Sequence, residues 1–180
     1  MRAIFLDRDG VINKYPGDTK YVTNWKKFRF LPRAKKAIAK LHQNGFKIFV
    51  VSNQAGVSKG IYSQKTLDFI TKNMRSAIRK AKGEINEVYY CIHRKEQNCP
   101  CRKPKAGLIE RAKAKYSINL KQTFFIGDTI RDIETGKRAG LKTILVFSGK
   151  EKPENKNSWQ VLPDFTACDL REAVNLVLRK

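Results

Sequence analysis

The segment AIFLDRDG at residues 3–10 joins four consecutive apolar residues to two aspartates, and this junction decides the fold class of the 180-residue chain. A short apolar run that ends abruptly in charge predicts a strand buried on both faces, as in a parallel sheet. Four further runs of the same character predict four more such strands, at residues 46–51, 88–90, 123–126 and 143–147.

Between and after these strands, apolar residues recur at helical spacing in five stretches, at residues 34–41, 67–81, 108–112, 133–139 and 170–178. Ser63 is a candidate N-cap of the second helix, and Gly45 and Gly140 are candidate C-terminal caps of the first and fourth. Strands that alternate with helices predict a three-layer α/β fold with a doubly wound parallel sheet. We expect one domain over residues 1–180, without a large cap domain.

The composition is consistent with one compact domain, because 41% of the residues are apolar. No segment approaches the roughly 20 apolar residues that a membrane span needs, and the apolar start meets Asp7 too early for a signal peptide. We therefore expect a cytoplasmic protein that does not contact the membrane, and a monomer.

The formal charge of +22 comes from 38 Lys and Arg against 16 Asp and Glu. Such an excess raises nucleic acid as a partner. The lysines are spread over the predicted helices rather than gathered in a run, which favours a general basic surface over one concentrated basic face. The sequence thus argues against nucleic acid, and the positive potential favours small anionic substrates.

Polar residues of unusual type follow the predicted strands, at the edge of the sheet where doubly wound folds bind ligands. They are Asp7, Asp9 and Gly10; Ser52, Asn53 and Gln54; Arg102 and Lys103; and Gly127, Asp128 and Asp132. Four of the chain's eight aspartates belong to this set. Gathered carboxylates repel one another, so they need a cation, and hard oxygen ligands select Mg²⁺.

These residue types suit phosphoryl transfer. A carboxylate at the tip of the first strand, Asp7, can attack phosphorus and form an aspartyl-phosphate. Asp9 can donate a proton to the leaving oxygen and later take one from water. Gly10 permits a tight turn beside the transferring group. The negative charge of that group calls for positive electrostatics, which Lys103 and Ser52 can supply.

In these motifs the chain resembles the haloacid dehalogenase-like (HAD) hydrolases almost from end to end. The matching segments are FLDRDGV at residues 5–11, Ser52, Lys103 and GDTIRD at residues 127–132. The resemblance implies that Asp7 is the nucleophile and a Mg²⁺ ligand, and that Asp9 is the acid and base while its main-chain carbonyl binds the metal. It further implies that Asp128 is the third protein ligand and that Asp132 orients Lys103 or a metal-bound water.

Three of the four cysteines cluster directly before Lys103, whereas Cys168 stands alone. Soft ligands follow one another within eleven positions, at Cys91, His93, Cys99 and Cys101. This set fits a closed structural Zn²⁺ site of the Cys₃His type, which would hold the loop at 91–101 so that Arg102 and Lys103 point into the cleft. His93 is thus expected to be a zinc ligand rather than a catalytic base.

The zinc loop narrows the resemblance to the HAD branch of heptose-bisphosphate and histidinol-phosphate phosphatases. The segment VSNQAGVSKG at residues 51–60 is similar to the heptose enzymes, whereas the five-residue interval between His93 and Cys99 is similar to the histidinol enzymes. We expect Mg²⁺-dependent hydrolysis of the 7-phosphate of D-glycero-D-manno-heptose 1,7-bisphosphate. In that interpretation Asn53, Gln54, Arg102 and Lys103 bind the substrate.

Three alternatives remain open from sequence. Histidinol phosphate is one substrate, and a 3′-phosphorylated DNA end, which suits the charge, is another. The third is a zinc-stabilised binding module without activity. The loop at residues 13–29 is too long for a simple βα turn and is a candidate lid over the site.

Overall fold

A computed structural model describes residues 1–179, and its centre is a six-stranded parallel sheet. The strands are β1 (Ala3–Leu6), β2 (Lys47–Asn53), β3 (Glu87–Cys91), β4 (Phe124–Gly127), β5 (Lys142–Val146) and β6 (Phe165–Ala167). The strand order is β3-β2-β1-β4-β5-β6, and every pairing is parallel. The strands β2 and β3 thus lie on one side of β1, and β4, β5 and β6 lie on the other. The strand order reverses between β1 and β4, which is the point where doubly wound folds bind ligands.

Within residues 1–179, five α-helices cover the two faces of the sheet. They are α1 (Ala34–Gln43), α2 (Gln64–Lys80), α3 (Gly107–Tyr116), α4 (Ile130–Arg138) and α5 (Leu170–Leu178). Four 3₁₀ helices lie in the connections, at Trp25–Lys27, Lys95–Gln97, Leu120–Gln122 and Pro153–Ser158. The long connection between β1 and α1 contains no α-helix, so no large cap domain is inserted there.

The core has two halves because successive strand residues face opposite sides of the sheet. Ile4 and Leu6 pack with apolar residues of α1, α2 and α5, whereas Ala3 and Phe5 pack with α3 on the other face. The three-layer α/β architecture predicted from the sequence is confirmed.

The predicted elements are confirmed within a few residues, and one strand was missed. Ser63 caps α2 by accepting a hydrogen bond from the Thr66 main-chain N–H at 3.1 Å. Gly45 and Gly140 adopt the positive φ angles that a glycine cap supplies. The missed strand, β6, has only three residues and lies at the sheet edge with two of them partly exposed. It therefore lacks the continuous apolar run that marked the other five.

The segment at residues 150–158 contains the exposed 3₁₀ helix Pro153–Ser158. Among residues 1–179, no helix combines the length and the apolar character needed to cross a membrane.

Candidate active site

Asp7 and Lys103 meet at the carboxyl edge of the sheet, where the strand order reverses. The Asp7 main-chain N–H donates to the Ile126 carbonyl at 2.9 Å, which ties the end of β1 to β4. The Lys103 ammonium lies 2.9 Å from Asp7 Oδ1 and 2.5 Å from Asp132 Oδ1. It also donates to the Val51 carbonyl at 3.1 Å. Residues from four different segments are thus joined through one buried lysine.

Asp7, Asp128 and Asp132 form a buried carboxylate cluster in which one oxygen from each lies within 4.8 Å of the others. Burial raises the pKa of Asp7 to about 6, and the charges of Asp132 and Asp9 add to the rise against the opposing effect of Lys103. Burial, followed by the charges of Asp7 and Asp132, also raises the pKa of Asp128 well above its ordinary value. One lysine is therefore too little positive charge for three buried carboxylates.

The pKa of Lys103 reflects the same excess of negative charge over positive charge. Burial by itself lowers the pKa of this ammonium, but the carboxylates of Asp132 and Asp7 outweigh burial and raise it above the ordinary value. Lys103 is therefore charged at every physiological pH, and it cannot serve as a base here.

The Asp128 carboxylate is enclosed by two glycines. A Cβ atom on Gly10 would lie 2.1 Å from Asp128 Oδ2, and one on Gly149 would lie 2.0 Å from the same atom. The Lys150 main-chain N–H donates to this oxygen at 2.8 Å. Gly10 also has a φ of +84°, which explains glycine there, whereas Gly149 was missed in the sequence. Its position just after β5, at the same edge of the sheet, is the feature of the sequence that could have identified Gly149.

Asp132 is fixed by the start of α4. Thr129 donates to Asp132 Oδ2 through its hydroxyl at 2.6 Å and its main-chain N–H at 3.1 Å, as in a capping box. The other oxygen, Oδ1, is thereby turned toward Lys103. A Cβ on Gly127 would lie 2.2 Å from Asp132 Cβ, so only glycine leaves room for this packing.

The Asp9 side chain lines the same cavity but is not part of the cluster of Asp7, Asp128 and Asp132. Its oxygens accept hydrogen bonds from Arg8, Asn13 and Gln54 at 2.8–3.3 Å. A charged side chain between two aspartates is typical of a surface turn, so Arg8 was not predicted as a site residue. Asn13 was not predicted as a site residue either. The structure buries both of them completely.

The residues after β2 fix the loop that carries Lys103. Asn53 accepts from the Lys103 main-chain N–H at 3.1 Å and donates to the Lys103 carbonyl at 3.2 Å. Ser52 Oγ accepts a hydrogen bond from Gln54 at 3.3 Å. Ser52 and Asn53 line the same cavity as Asp7, whereas the Gln54 side chain is turned to Asp9, Arg8 and Tyr62.

This cavity has a volume of about 210 Å³ and brings together nearly all the predicted catalytic residues. Its lining includes Arg131, Lys150 and residues 15–21 of the predicted lid loop, together with the acidic and basic side chains of Asp7, Asp9, Lys103, Asp128 and Asp132.

One contact connects the candidate lid to Lys150, which also lines the cavity, and a second lies within the lid itself. Asp18 Oδ1 accepts from the Tyr15 hydroxyl at 2.6 Å and from the Lys150 ammonium at 2.7 Å. Residues 15–21 of the 13–29 loop thus line the cavity, and the lid role of this loop stays a prediction.

Arg102 lies in an adjoining cavity of about 320 Å³ rather than in the catalytic one. Its guanidinium donates to the His93 carbonyl at 3.1 Å. Arg131 and Lys103 line both cavities, so the two spaces share a wall. The lining of the second cavity includes six cationic side chains and no carboxylate: Lys95, Arg102, Lys103, Lys105, Arg131 and Arg138.

Cys91, His93, Cys99 and Cys101 converge on one point. The Cys99 sulfur lies 3.5 Å from the Cys91 sulfur and 3.3 Å from the Cys101 sulfur. His93 Nδ1 lies 3.2 Å from the Cys101 sulfur. Ligands about 2.3 Å from a tetrahedral zinc ion would be about 3.8 Å apart, so the four atoms surround a space close to the size of that ion. All three cysteines are free thiols.

Comparison with known proteins agrees with this architecture. A family model described as HAD-hydrolase-like matches residues 100–173. A D-glycero-D-manno-heptose-1,7-bisphosphate 7-phosphatase of Chlorobaculum tepidum is 34% identical and covers 96% of this chain and 92% of that protein. A D-glycero-beta-D-manno-heptose-1,7-bisphosphate 7-phosphatase of Helicobacter pylori is 32% identical, with coverage of 98% and 97%.

Among solved structures, the D,D-heptose 1,7-bisphosphate phosphatase of B. bronchiseptica, complexed with magnesium and phosphate, superposes with a TM-score of 0.92. It is 29% identical and covers 99% of both chains. Fold and site together define a HAD-type phosphatase, a hydrolase of phosphoric monoesters. Within that class, the chain belongs to the family of the D-glycero-D-manno-heptose-1,7-bisphosphate 7-phosphatases.

Proposed function

We propose that this protein removes the 7-phosphate of D-glycero-D-manno-heptose 1,7-bisphosphate in a Mg²⁺-dependent reaction that passes through an aspartyl-phosphate on Asp7. The observation that carries the mechanism is the buried cluster of Asp7, Asp128 and Asp132 around Lys103, on the floor of a cavity. The substrate is inferred from the relatives, which are named for this activity and match this chain over nearly its whole length.

The carboxylate cluster fits Mg²⁺. Its donors are hard oxygens, and its carboxyl groups have raised pKa values because positive charge is lacking between them. We assign Asp7, the main-chain carbonyl of Asp9, and Asp128 as the protein ligands. When bound there, Mg²⁺ neutralises charge on the phosphate and lowers the repulsion that an attacking carboxylate meets.

The chain's own residues then divide the reaction between them. Asp7 attacks phosphorus, while Lys103 and Ser52 contact the oxygens of the transferring group. Asp9 gives a proton to the departing sugar oxygen and afterwards takes one from the water that releases phosphate. Asp132 holds the ammonium of Lys103, and Asn53 holds its main chain, so that the positive charge stays in place.

We assign a structural zinc ion to Cys91, His93, Cys99 and Cys101. Although burial acts in the opposite direction, hydrogen bonds from Cys101 and Cys91 lower the pKa of Cys99 to about 7, whereas burial raises the pKa values of Cys91 and Cys101. Without a cation, the cluster thus favours one thiolate and disfavours the other two, and bound zinc would stabilise all three thiolates. Lys103 follows Cys101 by two residues, so a fixed zinc loop sets the direction of Lys103. No catalytic role is needed for His93.

The phosphate that stays on the sugar needs cations of its own. Arg102, in the adjoining cationic cavity, supplies them together with Arg131, which links that cavity to the catalytic one. A bidentate guanidinium contact suits a phosphate group. In this proposal the enzyme acts as a monomer in the cytoplasm on a soluble sugar bisphosphate.

The test is a panel of phosphorylated compounds assayed with the purified protein and Mg²⁺. Heptose 1,7-bisphosphate is expected to give the highest kcat/KM, with phosphate released from carbon 7 only. A higher kcat/KM for histidinol phosphate would overturn the heptose assignment, and salt-sensitive turnover of a 3′-phosphorylated oligonucleotide would replace it with a DNA-end activity. No turnover of any member would leave the binding-module alternative.

A further inference from the structure

We propose that Arg8 and Gln54 are positioning residues that hold the Asp9 carboxylate in one orientation for proton transfer. This inference rests on the proposed function, because it concerns how Asp9 is aimed. It gives Gln54 a role that acts through Asp9, in place of the direct substrate contact expected from the sequence.

The Asp9 carboxylate is held from three sides. Gln54 Nε2 donates to Asp9 Oδ2 at 2.9 Å, and Arg8 Nη2 donates to the same oxygen at 3.0 Å. Asn13 Nδ2 donates to Asp9 Oδ1 at 2.8 Å. These three donors form a clamp around the Asp9 carboxylate. The Asp9 side chain is still 19% exposed and lines the catalytic cavity, so the clamp leaves the carboxylate accessible.

The clamp is rigid because its members are buried and cannot turn. Arg8 is 0% exposed and its guanidinium lies over the Tyr90 ring, 5.7 Å from the ring centre. Gln54 is 2% exposed. A side chain with no access to water keeps the partners that the fold provides, since losing one leaves a buried polar group unpaired.

The direction of the Gln54 amide is decided by its neighbours. Its Oε1 accepts from Arg8 Nη2 at 3.0 Å and from the Tyr62 hydroxyl at 2.7 Å. A flipped amide would aim its oxygen at the Asp9 carboxylate and its NH₂ at the Arg8 guanidinium, and both contacts are repulsive. The amide therefore presents its NH₂ to Asp9.

Gln54 has no donor left for a substrate. Its NH₂ contacts Asp9 and, at 3.3 Å, Ser52 Oγ. The side chain does not line the catalytic cavity, whereas the two residues before it, Ser52 and Asn53 at the end of β2, do. One buried amide thus connects the proton-transferring carboxylate with a hydroxyl placed to contact phosphate.

The test measures kcat/KM over phosphate monoesters with leaving groups of increasing basicity, because only a poor leaving group needs a proton from Asp9. For Gln54→Ala, we expect a loss of about 10- to 100-fold with an alkyl phosphate and less than about 3-fold with p-nitrophenyl phosphate. KM is expected to stay within about 2-fold of the wild type. Asp9→Asn marks the full effect and should give the steepest dependence on leaving group.

The chain offers a matched control in Gln64→Ala. Gln64 Nε2 donates to Asp68 Oδ1 at 2.8 Å on the exposed surface of α2, so the same change removes the same kind of bond away from the site. Its kinetic constants should equal those of the wild type. Should Gln54→Ala fail to fold, Tyr62→Phe carries the test, since it removes one of the two hydrogen bonds that Gln54 Oε1 accepts and should produce a smaller loss with the same dependence on leaving group.

Two results would overturn the clamp. An equal loss for every leaving group means a general structural role, and a raised KM with unchanged kcat means that Gln54 binds substrate. Both require a wild type that turns over. Absence of wild-type turnover instead contradicts the proposed function, so the two failures are distinguishable.

Discussion

The substitution Gly149→Ala tests whether Asp128 is a metal ligand without removing any functional group. The added Cβ would lie 2.0 Å from Asp128 Oδ2 and 2.6 Å from Asp128 Cβ. Rotation of the Asp128 side chain leaves its own Cβ in place, so it does not relieve the overlap. The main chain around residue 128 or 149 must move, and the Lys150 N–H bond to Oδ2 moves with it.

The structure sets the size of the effect. Restoring an ordinary contact of about 3.4 Å requires a retreat of the Asp128 oxygen by about 1.4 Å. Metal–ligand distances tolerate only about 0.2 Å. We therefore expect Mg²⁺ to bind at least about 10-fold more weakly, and kcat/KM to fall by about 100-fold at a fixed Mg²⁺ concentration.

The assay is a Mg²⁺ titration of phosphatase activity, with zinc content and thermal unfolding measured on the same preparations. Gly140→Ala is the control, because Gly140 has a φ of +75° with no atom within 4 Å of the added Cβ. It should cost about 1 kcal/mol of stability through backbone strain and leave the titration unchanged. Wild-type Mg²⁺ dependence in folded Gly149→Ala would refute the assignment of Asp128.

Three further outcomes are expected. Asp7→Asn should lower turnover by about 10³-fold or more and form no phosphoenzyme in rapid-quench labelling, whereas retained activity contradicts the nucleophile. Cys99→Ser or zinc chelation should lower the Tm by about 10 °C, while Cys168→Ser at the exposed lone cysteine changes neither Tm nor zinc content. Burial raises the folded-state pKa of Asp7 to about 6, against an ordinary value of 3.8. Ionisation of Asp7 therefore destabilises the metal-free protein as the pH rises from 3.8 to about 6. The Tm gain from Mg²⁺ should therefore grow between about pH 5 and pH 7.5, and a gain independent of pH excludes this carboxyl as a ligand.

Local pattern was enough to predict the helices and five of the six strands. An apolar run such as residues 3–6 is buried on both faces of a parallel sheet whatever its neighbours are, so periodicity alone identifies it. β6 escaped because a short edge strand with partly exposed residues carries no such run.

The candidate site was predicted where residue type and position agree. Asp7, Lys103 and Asp128 are polar residues placed just after strands or in a loop leading from one, and parallel strands bring their carboxyl ends to one edge. Arg8 lies next to Asp7 and was not predicted as a site residue, and Gln54 was predicted to contact substrate, whereas its amide faces Asp9. Local sequence does not distinguish an arginine in a surface turn from one that is buried against a carboxylate.

Residue type and periodicity alone establish the order of strands and helices, and with it the edge of the sheet where the candidate site residues lie. Which of those side chains touch one another depends on how distant segments pack: Lys103 lies between Asp7 and Asp132, Gly149 borders Asp128, and the Gln54 amide faces Asp9. The physical reason is that burial of an apolar run depends on its own residues, whereas a hydrogen bond or an ion pair depends on two distant segments packing within about 3 Å of each other.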